Sequence, residues 1–344
     1  MNTSLFDYEL PEAAIAQTPI EPRDAARLLR CDPREDRIFA DLPGLLRSGD
    51  LLVVNRTRVR AARLRGRKME TGGSVEVLLI RRVDPQRWEG LIRPARRIRA
   101  GVKLDFGRIA GEVLTDPVNG EVVVSLSAGE DDVETAIAAS GDLPLPPYIH
   151  ERLQDPERYQ TVFAKEVGSA AAPTAALHFT PTLLDNLAAA GVEIAEVNLE
   201  VGLDTFRPIG TDHIADHAMH TEAWELPEET ARAVASTRRR GGRVVAVGTT
   251  VVRTLESAAS GGGLVAAGSG DTELFISPGY EMKVVDVVVT NFHAPRTTLI
   301  VMIAALLGDR WREIYRHALN SGYRFLSFGD AMLIEKPINA RNRK

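Results

Sequence analysis

The chain has 344 residues, 44% of them hydrophobic and 26% charged, which fits a globular protein of one large or two ordinary domains. No run of 18 uncharged apolar residues is present to cross a membrane, and the start, MNTSLFDYELPE, lacks the basic and apolar regions of a secretory signal. Cys31 is the only cysteine, which excludes an internal disulfide and any multi-cysteine metal site; a cytoplasmic protein is the expectation.

The net charge of −5 conceals an asymmetry. Arg56 to Lys103 carry 15 Lys and Arg against four acids, a net of +11 that leaves −16 for the remainder. Arg56, Arg58 and Arg60 alternate along one side of a strand pattern, as do Arg63, Arg65 and Arg67, with Arg96 and Arg97 further on. Guanidinium groups gathered on one face suit a polyanion, although a solvated strand set with scattered arginines would read the same way.

In chain order, PEAAIAQ (11–17) predicts a short helix and DLLVV (50–54) a buried strand ending at Asn55. From about Ala61 to Leu143 short alternating runs follow: SVEVLLIRR (74–82), RWEGLIRP (87–94), RIAGEVLT (108–115) and GEVVVSLS (120–127). Asn119-Gly120 is the strongest hairpin signal, and the spacing predicts a small β-barrel inserted at 61–143 into a main domain built from 1–60 and 144–344. DDVETAIAASG (131–141) reads as a helix. So does TPTLLDNLAAAG (180–191), with Thr180 as N-cap and Gly191 beyond its end.

VEIAEVNLEVG is expected as a strand, LPEETARAVASTRRRGG (226–242) as a helix, and RVVAVG as a buried strand leading to a helix that Thr249-Thr250 could cap. GGGLVAAGSGD (261–271) reads as a mobile loop, VVDVVVTNF as a buried strand and TLIVMIAALLG (298–308) as an apolar helix. Strands alternating with helices make the main domain mixed α/β.

Gly168 to Phe179, GSAAAPTAALHF, combines small residues, a proline and Thr174 at a helix start, Ala175, and one imidazole, His178. Its free N–H groups would suit an anion; a small-residue helix in a core is the plainer reading. His213, His217 and His220 could share a helix face for zinc, but HAMHTEAWEL also reads as a strand, so no metal is assigned. Neither G-x-G-x-x-G nor a P-loop occurs, and Gly248-Thr249-Thr250 is either an anion seat or a capped turn. Asn291 and His293 leave the end of a buried strand, where α/β proteins place ligands, and Tyr280 could stack on a base or merely fill a turn.

VNLEVGLDTFRP (197–208), HAMHTE (217–222), VVAVGTTVVRTLES (244–257), ISPGYEMKVVDVVVTNFHAPRTTLI (276–300) and YRFLSFGDAMLI (323–334) occur in that order. Together with FDYELPEAAIAQTPIEPRDAARLL (6–29), GDLLVVNRTRVRAARL (49–64) and LPLPPYI (143–149), they resemble the S-adenosylmethionine:tRNA ribosyltransferase-isomerase family of queuosine biosynthesis nearly end to end.

The resemblance implies transfer and rearrangement of the ribosyl group of S-adenosylmethionine onto 7-aminomethyl-7-deazaguanine at the tRNA wobble position. Epoxyqueuosine would form, with release of adenine and methionine. The implied path is proton loss from C5′, departure of adenine, attack by the base's amine and closure of an epoxide. It also implies a monomer with no cofactor beyond that co-substrate. His178 is the first candidate for general base, with His293 and His220 as rivals; Thr174, Thr249 and Arg253 would hold donor or phosphate groups, and the Arg56–Lys103 region the anticodon stem-loop.

The chain departs from the family pattern at Ala176, at Glu200 and Asp204 beside Thr205, and at Ser277, Ala294 and Arg296. New carboxylates at Glu200 and Asp204 attract a sulfonium or an amine, so they are either acid/base groups or marks of a paralogue with another acceptor. A non-catalytic tRNA-binding protein of the same fold is the further alternative. S-adenosylmethionine-dependent methyl transfer would call for a glycine-rich first loop that is absent.

Overall fold

The computed structural model describes residues 1–129, 131–202 and 207–335. Chain contacts divide it into two compact units, one of Met1–Arg58, Pro146–Val167 and Ala172–Lys344, the other of Val59–Leu145 and Gly168–Ala171.

The larger unit is built on a nine-stranded mixed sheet. Its order is Gly268–Thr272, Glu222–Leu226, Glu193–Leu199, Leu51–Asn55, Val244–Val247, Val287–Asn291, Ala331–Glu335, Arg27–Cys31 and Arg34–Ile38. The third to sixth strands run parallel. The three central ones, Leu51–Asn55, Val244–Val247 and Val287–Asn291, are nearly continuous in Val and Leu and buried on both faces, while Glu193–Leu199 alternates buried with exposed or half-buried residues towards its end.

Alternate residues fill two separate cores. Leu52, Val54, Val245, Val247, Val287 and Val289 pack with Phe39, Phe179, Leu183 and Leu187 on one side of the sheet. Leu51, Val53, Val244, Ala246 and Val288 pack on the other with helices Thr249–Ser257, Thr298–Leu307 and Trp311–Asn320. Helix Pro181–Ala189 starts where expected: the Thr180 hydroxyl accepts a hydrogen bond from the Leu183 amide at 3.1 Å. No helix among the described residues is long and apolar enough to cross a membrane.

The smaller unit holds a closed six-stranded antiparallel barrel in the order Glu121–Ser127, Arg87–Arg93, Ser74–Arg82, Arg63–Lys68, Lys103–Asp105 and Ala110–Val113. Inward residues Leu64, Val75, Val77, Trp88, Ile92, Val122 and Val124 alternate with outward polar ones. Asn119 (φ 54°) and Gly120 (φ 90°) make the hairpin turn, bracketed by two mutual hydrogen bonds between Val118 and Glu121. At Gly66 any Cβ would lie 2.1 Å from the Asp105 carbonyl oxygen, so this strand crossing admits only glycine.

Three expectations require correction. The helix at 11–17 shrinks to one 3-10 turn, Glu12–Ala14. GGGLVAAGSGD is not a loop: it carries strand Leu264–Val265 and the edge strand Gly268–Thr272 of the main sheet. Thr249 and Thr250 do not cap their helix. Gly248 (φ 90°) is the N-cap and makes no side-chain capping bond, leaving both threonines inside the first turn.

Candidate active site

The four parallel strands end together, and polar residues leave each end. Asn55 closes the first: its side-chain oxygen accepts from the amides of Thr57 and Leu199, and its Nδ2 donates to the Leu199 carbonyl at 3.0 Å. That bond locks two neighbouring strand ends. Gly248, Thr249 and Thr250 follow Val247; Asn291 ends its strand and leads to His293. Ligands in open α/β sheets bind at such carboxyl ends.

A cavity of about 620 Å³ opens there, its polar wall formed by Thr174, Thr249, Thr250, Thr290, Asn291 and His293. Ala175 and Gly248 also line it, as do Tyr148 and Ser327, whose hydroxyls lie 2.7 Å apart. A second cavity of about 580 Å³ shares Thr249, Thr250 and Leu299 with the first. Met219, Phe275, Ile276 and Met302 make it more apolar, and His217 and His220 stand on its wall. Its floor carries a buried ion pair, Arg253 with Glu222.

His293 faces the first cavity. Its Nε2 lies 3.0 Å from the Thr290 hydroxyl. Two tyrosines grip its peptide: Tyr8 donates to the His293 carbonyl at 2.5 Å, and the His293 amide donates to the Tyr315 hydroxyl at 3.0 Å. The two tyrosine rings meet edge to face, 5.2 Å between centroids. Burial holds the His293 imidazole neutral, its pKa pushed down to about 3.

His178 does not line that cavity. It lies behind Asn291, whose Nδ2 approaches its Nε2 at 3.4 Å, and it contacts the Phe39 ring at 4.9 Å between centroids. Burial lowers its pKa to about 4, against a hydrogen bond to the Arg23 backbone that raises it. Asn291 also accepts from the Thr174 hydroxyl at 2.8 Å, so Thr174, Asn291 and His178 form one connected chain. Glu200 is exposed and lines neither cavity, and Ala176 is fully buried. Asp204 and Thr205 lie outside the described residues.

Arg253 faces its own fold. Its Nε and Nη2 donate to the Leu274 and Thr272 carbonyls while the remaining nitrogen meets Glu222, so it builds a floor instead of offering a phosphate seat. Tyr280 donates to Glu256 at 3.1 Å and lines neither cavity. His213 precedes the 3-10 turn Ile214–Asp216 and His217 follows it, so the three histidines share no helix face.

The arginine stretch divides. Arg56 is ion-paired with Glu166 and Glu225, Arg58 with Glu157, and Arg60 with Glu134 while its guanidinium covers the Trp88 ring. Arg63 and Arg65 both reach Glu76. Arg67, Arg96 and Arg97 are exposed on the smaller unit, and among the described residues they have no acidic partner within 4.0 Å.

Sequence reasoning missed Asn55, Tyr8, Tyr315 and Thr290. The first stood in plain view at a strand end, but nothing local marks the tyrosines, which reach His293 from positions 285 and 22 residues away.

Comparison with known proteins concerns the chain as a whole. A family profile described as "Queuosine biosynthesis protein" matches residues 3–334. A protein of Heliobacterium modesticaldum named S-adenosylmethionine:tRNA ribosyltransferase-isomerase is 52% identical over 97% of this chain and 100% of its own length. One of the same name from Symbiobacterium thermophilum is 50% identical over equal shares. The crystal structure of an S-adenosylmethionine tRNA ribosyltransferase from Thermotoga maritima superposes with a TM-score of 0.55 at 38% identity, covering 96% of this chain and 99% of that one.

Proposed function

The chain belongs to the S-adenosylmethionine:tRNA ribosyltransferase-isomerase family, and we propose from this membership how its cavities carry out that reaction. The protein is a transferase and isomerase of queuosine biosynthesis. It moves the ribosyl group of S-adenosylmethionine to 7-aminomethyl-7-deazaguanine in tRNA and rearranges it to epoxyqueuosine. Half-identity to enzymes named for this reaction, held over the whole length, is the observation that carries the assignment.

The first cavity is the reaction chamber. His293 takes the proton from C5′ of the donor, because its imidazole faces the chamber beside the Thr290 hydroxyl and its peptide is fixed at both ends. Thr249 and Thr250 hold the ribose, and the Asn291 amide steers the incoming amine. His178 acts through Asn291 as a positioning residue. Walls rich in apolar and small residues keep water from the intermediates. Arg67, Arg96 and Arg97 take the phosphates of the anticodon stem-loop, in preference to the ion-paired Arg56, Arg58 and Arg60. A cytoplasmic monomer without a resident metal, carrying residues 61–143 as an inserted domain, completes the proposal. A paralogue with another acceptor loses Glu200 as support, since that carboxylate stands in solvent outside both cavities.

The test is to incubate the protein with S-adenosylmethionine and tRNA bearing 7-aminomethyl-7-deazaguanine. Equal amounts of adenine, methionine and epoxyqueuosine are expected. Donor binding without modification of that tRNA, or methyl transfer to it, would overturn the reading.

A further inference from the structure

We propose that the second cavity is the seat of the adenine of S-adenosylmethionine, with Phe275, His217 and Met219 as its walls and the Thr249–Thr250 turn as the bridge to the reaction chamber. This deepens the family reading and rests on it.

The two cavities meet at Thr249 and Thr250, which line both. A donor whose ribose sits at that turn must send its base to one side and its sulfonium to the other. The chamber side is lined by hydroxyls, an amide and the His293 imidazole, which suit the sugar, the amino acid and an attacking amine. On the other side lie Phe275, Ile276 and Met302, an apolar and polarisable lining that suits a flat heterocycle. The His217 ring stands edge to face with Phe275 at 6.0 Å and with His220 at 6.4 Å, giving the cavity an aromatic corner with a polar edge.

The same lining argues for adenine over a guanine-type base. A guanine edge needs a carboxylate to accept from its N1–H and amino group. Glu222 is the carboxylate here, and it is engaged: one oxygen accepts from the Gly202 amide at 3.1 Å and the other meets Arg253. The buried ion pair presents little net charge, as suits a neutral base that must be released at the end of the reaction.

Binding to the full-length protein, measured by calorimetry, tests the assignment without turnover. Met219→Trp fills the cavity from a half-buried position, and Phe275→Ala removes its aromatic wall, so a folding failure of one leaves the other. Both variants should bind adenine and S-adenosylmethionine at least tenfold more weakly than the wild type, with methionine affinity within twofold. Adenine binding within twofold of wild type in a folded variant overturns the proposal. So does a wild type that binds S-adenosylmethionine but not adenine, or one that prefers guanine to adenine. A wild type that binds no S-adenosylmethionine at all would instead refute the family reading.

Discussion

Replacing Asn291 by alanine should weaken both fold and chemistry. The side chain is 2% exposed and makes three hydrogen bonds: from Thr174 at 2.8 Å, to the Asp330 carbonyl at 3.4 Å and to His178 at 3.4 Å. At roughly 0.5–1.5 kcal/mol net for each, with two of them long, the loss comes to about 2 kcal/mol. Taking about 2 cal/mol/K per residue for the entropy of unfolding, the thermal midpoint should fall by roughly 3 °C. The effect on rate should be larger, because the Thr174 hydroxyl and the His178 ring lose the group that holds them in register: about 10–100-fold in turnover, with donor affinity less affected. Scanning calorimetry and single-turnover adenine release measure the two effects separately. A variant with wild-type midpoint and wild-type turnover would refute the claim that this chain of hydrogen bonds supports the site.

Other outcomes are equally open to measurement. His178 and His293 are held neutral by burial, with pKa values near 4 and 3 against an ordinary 6.5, so the unfolded chain takes up protons that the folded chain refuses. Stability present above pH 6.5 should therefore be lost as pH falls through 4, on the order of 3 kcal/mol for His178 alone; a thermal midpoint in His178→Gln as acid-sensitive as in wild type would contradict this. Tyr8→Phe removes one grip on the His293 peptide and should lower kcat severalfold with KM nearly unchanged, which steady-state kinetics would show. Reversing Arg96 and Arg97 to glutamate should weaken tRNA binding and flatten its salt dependence by about 1–2 in log–log slope, while Arg58→Ala, already paired with Glu157, should change the slope little.

Much of the fold was legible where local chemistry decides it. The Asn119-Gly120 turn needs positive φ at both positions, and Thr180 caps its helix by its own hydroxyl; each announces itself within four residues. The polar residues at the ends of strands Val244–Val247 and Val287–Asn291 were visible in the sequence, although Gly248-Thr249-Thr250 read equally well as a capped turn, and the structure gathers them at one cavity.

What escaped depends on partners far away in the chain. Gly268–Thr272 has no side-chain pattern, yet it becomes a strand because Glu222–Leu226 offers a free edge and Trp224 packs over Gly270, where an added Cβ would sit 3.4 Å from the indole. Arg56, Arg58 and Arg60 alternate as a nucleic-acid face would, but Glu225, Glu157 and Glu134 arrive from distant segments to neutralise them. His178 looked like the base because it ends a distinctive stretch. Only the tertiary fold puts Asn291 between it and the cavity that His293 lines.

The role proposed for His293 is to take the donor's proton in the cavity at the strand ends. His293→Gln, assayed for S-adenosylmethionine binding and for single-turnover adenine release with acceptor tRNA, tests it most directly. Donor affinity should stay within a few-fold of wild type while adenine release falls by about 10²–10⁴-fold, the range lost when a general base is removed. Adenine release near the wild-type rate in a folded, donor-binding variant would contradict the account.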